Sequence, residues 1–349
     1  MDNYKAIDIF SGCGGMTQGM RLAGFDVKIA VEIDENAAIA YKMNHPATRV
    51  LQRDICEVGS EEIRCLLDNE RIELLAGCPP CQGFSSIRRL NRKRSIRDER
   101  NRLVLEYLRL VRELMPLTIM IENVPGLVNY YLFKRTVKEL REIGYTLDVG
   151  VVDTKNYGVP QRRKRLVLVG SVLGEIKIAQ PTYEKMTVRD AIGELGSIEE
   201  AIDPLHKITV NHTQRIRNMI SMIPKNGGGR KDLPAEYQLN CHLKENTGFD
   251  DIYGRMKWDD CSPTITTGCL NPSKGRFLHP EKDRVITPRE AALLQCFPID
   301  YKFPLAVSKE SLAWMIGEAL PPKFSYVQCK NIKEHLDAYN GGQVYERKA

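Results

Sequence analysis

YKAIDIFSGCGGMTQGM, Tyr4 to Met20, sets an apolar run, a glycine-rich turn and a helical pattern end to end. Short apolar runs bounded by glycine read as buried strands, and glycine at the turn admits tight backbone bends and close approach by a ligand. The same unit recurs downstream. Val27–Ile33 (VKIAVEI) reads as a second strand and ENAAIAYKMN as a helix. TRVLQRDI suggests a third strand ending at Asp54, and Ile72–Ala76, Leu117–Ile121 and Leu166–Gly170 suggest three more. Helical patterns at Asn101–Leu114 and Phe133–Ile143 precede the last two. Strands alternating with helices predict an α/β fold, with a parallel, Rossmann-like sheet covered on both faces.

The alternation fades after about Ile178. Proline and glycine turns dominate up to Val285, which predicts a smaller, irregular domain with short strands; helical patterns return at Pro288–Leu294 and near Ser308–Leu320. The expected division is 1–179, 180–285 and a segment 286–349 that returns to the first domain.

At 349 residues, 42% of them hydrophobic, the chain can bury a sizeable core, which excludes a disordered tail or a disulfide-stapled miniprotein. Ten scattered cysteines do not read as a disulfide framework. Neither a signal-peptide pattern nor a run of about 18 apolar residues occurs, so a cytoplasmic protein is expected. The net charge of +6 is unevenly placed: Ser86–Arg102 (SIRRLNRKRSIRDERNR) holds eight basic and two acidic residues, and QRRKR spans Gln161–Arg165. Such runs are usually solvated faces, but clustered cations inside a folded chain also suit a phosphate backbone.

The glycine loop reads G-x-G-G and is a weak signal alone. Glu32, about 20 residues beyond Gly12, ends the second strand, where a carboxylate can accept hydrogen bonds from ribose hydroxyls. With Asp54, three strand ends point polar groups into one crevice, as an adenosine-containing ligand requires. The pattern does not separate a nicotinamide dinucleotide from S-adenosylmethionine.

LLAGCPPCQGFSS, Leu74 to Ser86, presents two cysteines after another strand. Both are ordinary as small apolar residues. A redox pair fits the C-x-x-C spacing but leaves the arginines without a role. A structural zinc site lacks a second C-x-x-C. The third reading is a nucleophile, Cys81, stiffened by Pro79 and Pro80 and activated by nearby arginines. ENVPGL puts Glu122 at a strand end facing the same crevice, where a buried carboxyl with a raised pKa can donate a proton.

In this order DIFSGCGG, Glu32, Asp54, GCPPCQGFS, ENV, QRRKR and PREAALLQCFP resemble the DNA (cytosine-5)-methyltransferases, nearly end to end. The resemblance implies a Rossmann-like fold that binds S-adenosylmethionine and releases S-adenosylhomocysteine, with a target-recognition domain at 180–285. It implies Cys81 as nucleophile, Glu122 at the cytosine N3 edge, and Arg163 and Arg165 bracing the base and the site. Phe10, Ser11, Gly12, Cys13, Gly14, Gly15, Glu32, Ile33, Asp54, Ile55, Pro80, Leu103, Glu318 and Leu320 fall at cofactor-site positions, and no metal is expected. The run from Gly83 to Arg102 matches the loop that closes over DNA, which makes Ser85, Arg88, Arg89, Arg92, Lys93 and Arg97 candidate DNA contacts. Arg255, Thr264 and Thr267 are candidates in the recognition domain. One departure stands out: the family's Gly-Asn-Ala-Val-Pro-Pro is GEALPP here, with Glu318 and Leu320 replacing Asn and Val.

The implied partner is double-stranded DNA, without a membrane, acted on by a monomer that a companion restriction or defence nuclease can accompany. The same chemistry on tRNA, a catalytically inactive DNA-binding relative, and a nicotinamide oxidoreductase are the alternatives; the last needs neither Cys81 nor the arginines.

Overall fold

The structure, a computed structural model, describes residues 4–80, 102–238 and 251–346. The chain divides into two compact units, one of Met1–Tyr157, Lys164–Thr182 and Leu320–Ala349, the other of Gly158–Arg163 and Tyr183–Ala319.

The first unit carries one mixed sheet. Its strands are β1 (Tyr4–Ile9), β2 (Phe25–Val31), β3 (Arg49–Leu51), β4 (Leu74–Gly77), β5 (Thr118–Asn123), β6 (Thr146–Asp153) and β7 (Lys164–Ser171), in the order β3-β2-β1-β4-β5-β7-β6. Helices α1 (Gly15–Leu22), α2 (Glu35–Asn44), α3 (Ser60–Leu66), α4 (Leu103–Leu114) and α5 (Tyr131–Glu142) connect strands of this sheet. The chain steps outward from β1 to β3, then returns to lay β4 on the other side of β1. Strand order therefore reverses between β1 and β4, and ligands bind doubly wound sheets at such a point, beyond the carboxyl ends of the strands.

The expectation of a parallel sheet holds for β1 to β5 and fails for the last two strands. Both β5–β7 and β6–β7 pair antiparallel. Sequence analysis also missed β6. Its residues alternate weakly and are largely half-buried, as suits an edge strand with neither face fully covered.

Close packing fixes the first unit at two glycines. A Cβ on Gly77 would sit 2.8 Å from the Ile9 carbonyl oxygen, so only glycine lets β4 end so near β1. A Cβ on Gly19 would lie 2.4 Å from Cβ of Ser325, where α1 crosses the C-terminal helix Pro322–Glu346; there the Ser325 hydroxyl also donates to the Met16 carbonyl at 2.8 Å. Tyr107 on α4 donates to the carbonyls of Leu75 (2.9 Å) and Met120 (3.2 Å), pinning the helix to β4 and β5.

Among the described residues of the second unit no strand exceeds an isolated bridge; Gln161–Ser262, Arg255–Leu278 and Leu278–Val285 are the pairs. The short strands expected there are absent from the described residues. Helices Pro288–Leu294 and Lys309–Glu318 stand where their patterns predict them.

Candidate active site

Four loops of the first unit converge beyond β1, β2, β4 and β5. After β1 the backbone turns left-handed three times, at Phe10 (φ 59°), Gly12 (φ 55°) and Gly14 (φ 94°), before α1 starts at Gly15. Glycine meets two of these positions without strain, and Phe10 is the costly one. Ser11 and Cys13 are buried in this loop.

Glu32 follows β2 and is tied to the same loop. Its Oε2 accepts from Gly12 N at 2.7 Å and its Oε1 from Asp34 N at 2.8 Å. Burial raises its carboxyl above the ordinary value, and the backbone donors of Asp34, Gly12 and Ile33 pull it partly back. A carboxylate offers about four acceptor sites, so beside its backbone donors it keeps room for a ligand hydroxyl. Ile33, beside it, is 65% exposed and offers an apolar surface. Asp54 caps the turn Ile55–Glu57 by accepting from Cys56 N at 2.9 Å; Ile55 is buried beneath it. Leu103, at the start of α4, and Pro80 are half-buried. Leu320 is buried, whereas Glu318 is exposed at the end of its helix.

The turn after β4 lacks two backbone donors, because Pro79 and Pro80 have no N–H. Asn123, the last residue of β5, holds it: its Nδ2 donates to the Pro79 carbonyl at 2.7 Å. Sequence analysis gave Asn123 no role of its own; the signal was an amide at a strand end opposite a proline turn whose carbonyl needs a donor. Burial, then the carboxylates of Glu122 and Asp8, push the Cys78 thiol well above its ordinary value, so Cys78 stays protonated.

Glu122 meets Arg165 here: Arg165 Nε lies 2.7 Å from Glu122 Oε1, both side chains largely buried. The antiparallel turn of β7 is what permits this. Glu122 pairs with Val167, so Arg165, two residues before Val167, lies diagonally on the same sheet face. A parallel β7 would carry Arg165 to the opposite end of the sheet.

Arg163 is placed differently. It belongs to the second unit, is buried, and donates from Nη1 to the Ile265 carbonyl (2.8 Å) and from Nη2 to the Gly317 carbonyl (2.9 Å). Gln161 supports the same segment, accepting from Ile265 N at 2.8 Å and donating to Gln295 at 2.7 Å. Sequence analysis named neither glutamine as a site residue.

Arg255 requires a correction. It was expected to face DNA, yet it is fully buried, and its guanidinium donates to the carbonyls of Ile220, Ile223, His279 and Lys282 and pairs with Asp283. A buried guanidinium must spend its donors internally, and here that fixes the fold of the second unit. Thr264 is half-buried, with its hydroxyl on the Arg162 carbonyl at 2.7 Å, and Thr267 is exposed. Cys81, Ser85, Arg88, Arg89, Arg92, Lys93 and Arg97 lie outside the described residues. Among the described residues no group of three or more His, Cys, Asp or Glu is arranged to hold a metal ion, and no helix is long and apolar enough to cross a membrane.

Residues 4–334 match the family of C-5 cytosine-specific DNA methylases. The chain is 38% identical to the Type II methylase M.HgiDII of Herpetosiphon aurantiacus over 97% of both proteins. It is 31% identical to the Type II methyltransferase M1.HphI of Haemophilus parahaemolyticus, over 90% of this chain and 83% of that protein. In structure it resembles a protein assigned as a DNA modification methyltransferase of an E. coli prophage, with TM-score 0.74 and 26% identity over 96% of this chain and 99% of the other. The Dnmt2 methyltransferase of S. pombe shares the fold at TM-score 0.64 and 19% identity, over 96% of this chain and 99% of the other. Ordered motifs, strand-end loops and full-length similarity agree: the chain belongs to the C-5 cytosine-specific DNA methylase family.

Proposed function

We propose that this enzyme methylates C5 of a flipped-out cytosine within a specific double-stranded DNA sequence, using S-adenosylmethionine and a covalent bond from Cys81 to cytosine C6. The observation that carries the reading is the Glu122–Arg165 pair, set at the mouth of a crevice whose other loops suit an adenosine ligand. S-adenosylmethionine, when bound, supplies an electrophilic methyl group. Glu32 would hold its ribose, Ile33 would lie against its adenine, and the glycine loop would cradle its polar end.

Cytosine C5 is a poor nucleophile. Attack of the Cys81 thiolate at C6 breaks the ring's aromaticity and makes C5 enamine-like. A proton shared between the Glu122 carboxyl and N3 neutralises the negative charge that develops there, while Arg165 keeps the carboxyl in place. After methylation a water molecule takes the C5 proton, the freed electron pair re-forms the C5–C6 double bond, Cys81 leaves as thiolate and the N3 proton returns to Glu122. Stacked DNA hides C6, so the base is flipped out at a cost of a few kcal/mol, offset by phosphate and base contacts. Segment 180–285 is assigned to target recognition. The similarity to Type II methylases supports a companion nuclease, and the site needs only one copy of the chain, acting in the cytoplasm on nucleoid DNA. Bisulfite sequencing of DNA from cells expressing the chain tests the reading: protected cytosines at one recurring sequence are expected, and unmodified DNA would refute it.

The ribose assignment makes a separate prediction. Glu32→Ala is expected to weaken S-adenosylmethionine binding by roughly 1–3 kcal/mol, through loss of a charge-assisted hydrogen bond and of the loop anchor at Gly12. An unchanged dissociation constant in calorimetry would show that Glu32 does not hold the ribose.

The eight basic residues of Ser86–Arg102 predict steep salt dependence of DNA binding. Neutralising Arg88, Arg89, Arg92 and Lys93 together is expected to lower the log–log salt slope by up to about 3–4. Target and non-target DNA should lose affinity about equally, because phosphate contacts position without specifying sequence. A slope equal to the parent's would mean that these cations only solvate the surface.

A further inference from the structure

Beneath the glycine loop lies a chain of buried polar groups that the reaction above leaves unused. Asp8 stands near the end of β1, Thr17 in α1, Tyr41 in α2 and His45 just past the end of α2; all four are buried. Thr17 Oγ1 donates to Asp8 Oδ2 at 2.6 Å and lies 2.7 Å from the Tyr41 hydroxyl. Thr17 is therefore bonded on both sides, to Asp8 and to Tyr41, and the three side chains link α2 through α1 to β1. His45 meets the Tyr41 ring edge-on, with centroids 4.9 Å apart, and its ring donates to the Gly14 carbonyl. Burial keeps His45 neutral, lowering its pKa to about 4.

Two features argue that this network serves more than the fold. Asp8 Oδ1 is buried without a hydrogen-bond partner, and burial pushes the Asp8 carboxyl up to about 7. An apolar set of the same shape would fill that space at lower cost. The loop above also contains Phe10 in a left-handed conformation, which persists only where the surroundings over-determine it.

We propose that Thr17, Tyr41 and His45 are positioning residues that hold the Phe10–Gly14 loop in its ligand-binding conformation. Thr17 and Tyr41 lock α1 and α2 to the strand from which the loop springs, and His45 fixes the carbonyl of Gly14. The proposal rests on the reading of this loop as the S-adenosylmethionine site.

Calorimetric titration of the full-length protein with S-adenosylmethionine tests it, alongside thermal unfolding. Thr17→Val keeps the shape but removes both hydrogen bonds, and is expected to raise the dissociation constant about tenfold. Thr17→Ser, which restores the hydroxyl, should bind within about twofold of the parent. Tyr41→Phe, lacking only the hydroxyl, should weaken binding about threefold to tenfold. Ser171→Ala removes a comparable bond to His335 at the far end of β7 and should lower the unfolding temperature without moving the dissociation constant. Thr17→Val and Tyr41→Phe proteins that melt earlier yet bind like the parent would overturn the proposal, as would a Thr17→Ser protein that binds no better than Thr17→Val. A parent that does not bind S-adenosylmethionine would overturn the cofactor reading, and this proposal with it.

Discussion

Replacing Cys81 by alanine is expected to reduce methyl transfer by about 10⁴-fold or more, because no other group opens the covalent route to an activated C5. Binding of S-adenosylmethionine should survive. The neighbouring Cys78 supplies the control. Its thiol is driven towards the protonated form by burial and by Glu122 and Asp8, so it is a poor nucleophile three residues from a good one. Cys78→Ala should retain turnover within about tenfold, with a stability loss of about 1 kcal/mol for a small cavity. DNA containing 5-fluorocytosine sharpens the contrast: fluorine at C5 blocks proton loss, so the parent and Cys78→Ala should be trapped as covalent adducts and Cys81→Ala should not. Substantial turnover by Cys81→Ala, or an adduct lost only with Cys78, would reverse the assignment.

The two cysteines also mark how far the sequence can be read. The groups found from sequence sit next to strand ends. A short apolar run followed by glycine, a carboxylate or a proline pair is a local pattern, so the glycine loop, Glu32, the CPP turn and Glu122 could all be placed before the sheet was known. Helix α2 was legible for the same reason: Asp34 caps it by accepting from Ala37 N at 2.9 Å, and its apolar spacing is continuous. What escaped depends on pairing. The direction of β7 leaves no trace in its residues, since an apolar strand reads alike both ways, yet that direction brings Arg165 to Glu122. Arg255 was misplaced because a cation in a turn-rich segment resembles a surface residue; only the folded second unit shows carbonyls gathered around it. Asn123 and Thr17 were passed over because their partners, Pro79, Asp8 and Tyr41, become neighbours through the sheet and its helices.

The Glu122–Arg165 pair, buried and 2.7 Å apart, should be the second most sensitive point of the enzyme. Removing one member of a buried ion pair strands the other charge, at a cost of about 3–5 kcal/mol. Arg165→Ala is therefore expected to lower both stability, by about 3 kcal/mol, and single-turnover methyl transfer, by about 10²-fold or more, since the carboxyl that must face cytosine N3 loses its anchor. Arg165→Lys should recover part of the stability and less of the rate, because a single ammonium does not reproduce the planar guanidinium. The double variant Glu122→Gln/Arg165→Ala separates the two effects. With no charge left to strand, it should regain most of the stability lost in Arg165→Ala, while turnover stays low because the N3 partner has changed. Denaturant unfolding and single-turnover assays on the parent, Arg165→Ala, Glu122→Gln and the double variant complete the cycle. If Arg165→Ala unfolds at the parent's denaturant concentration, the pair is not holding a buried charge; if the double variant regains rate as well as stability, Glu122 does not act on the base.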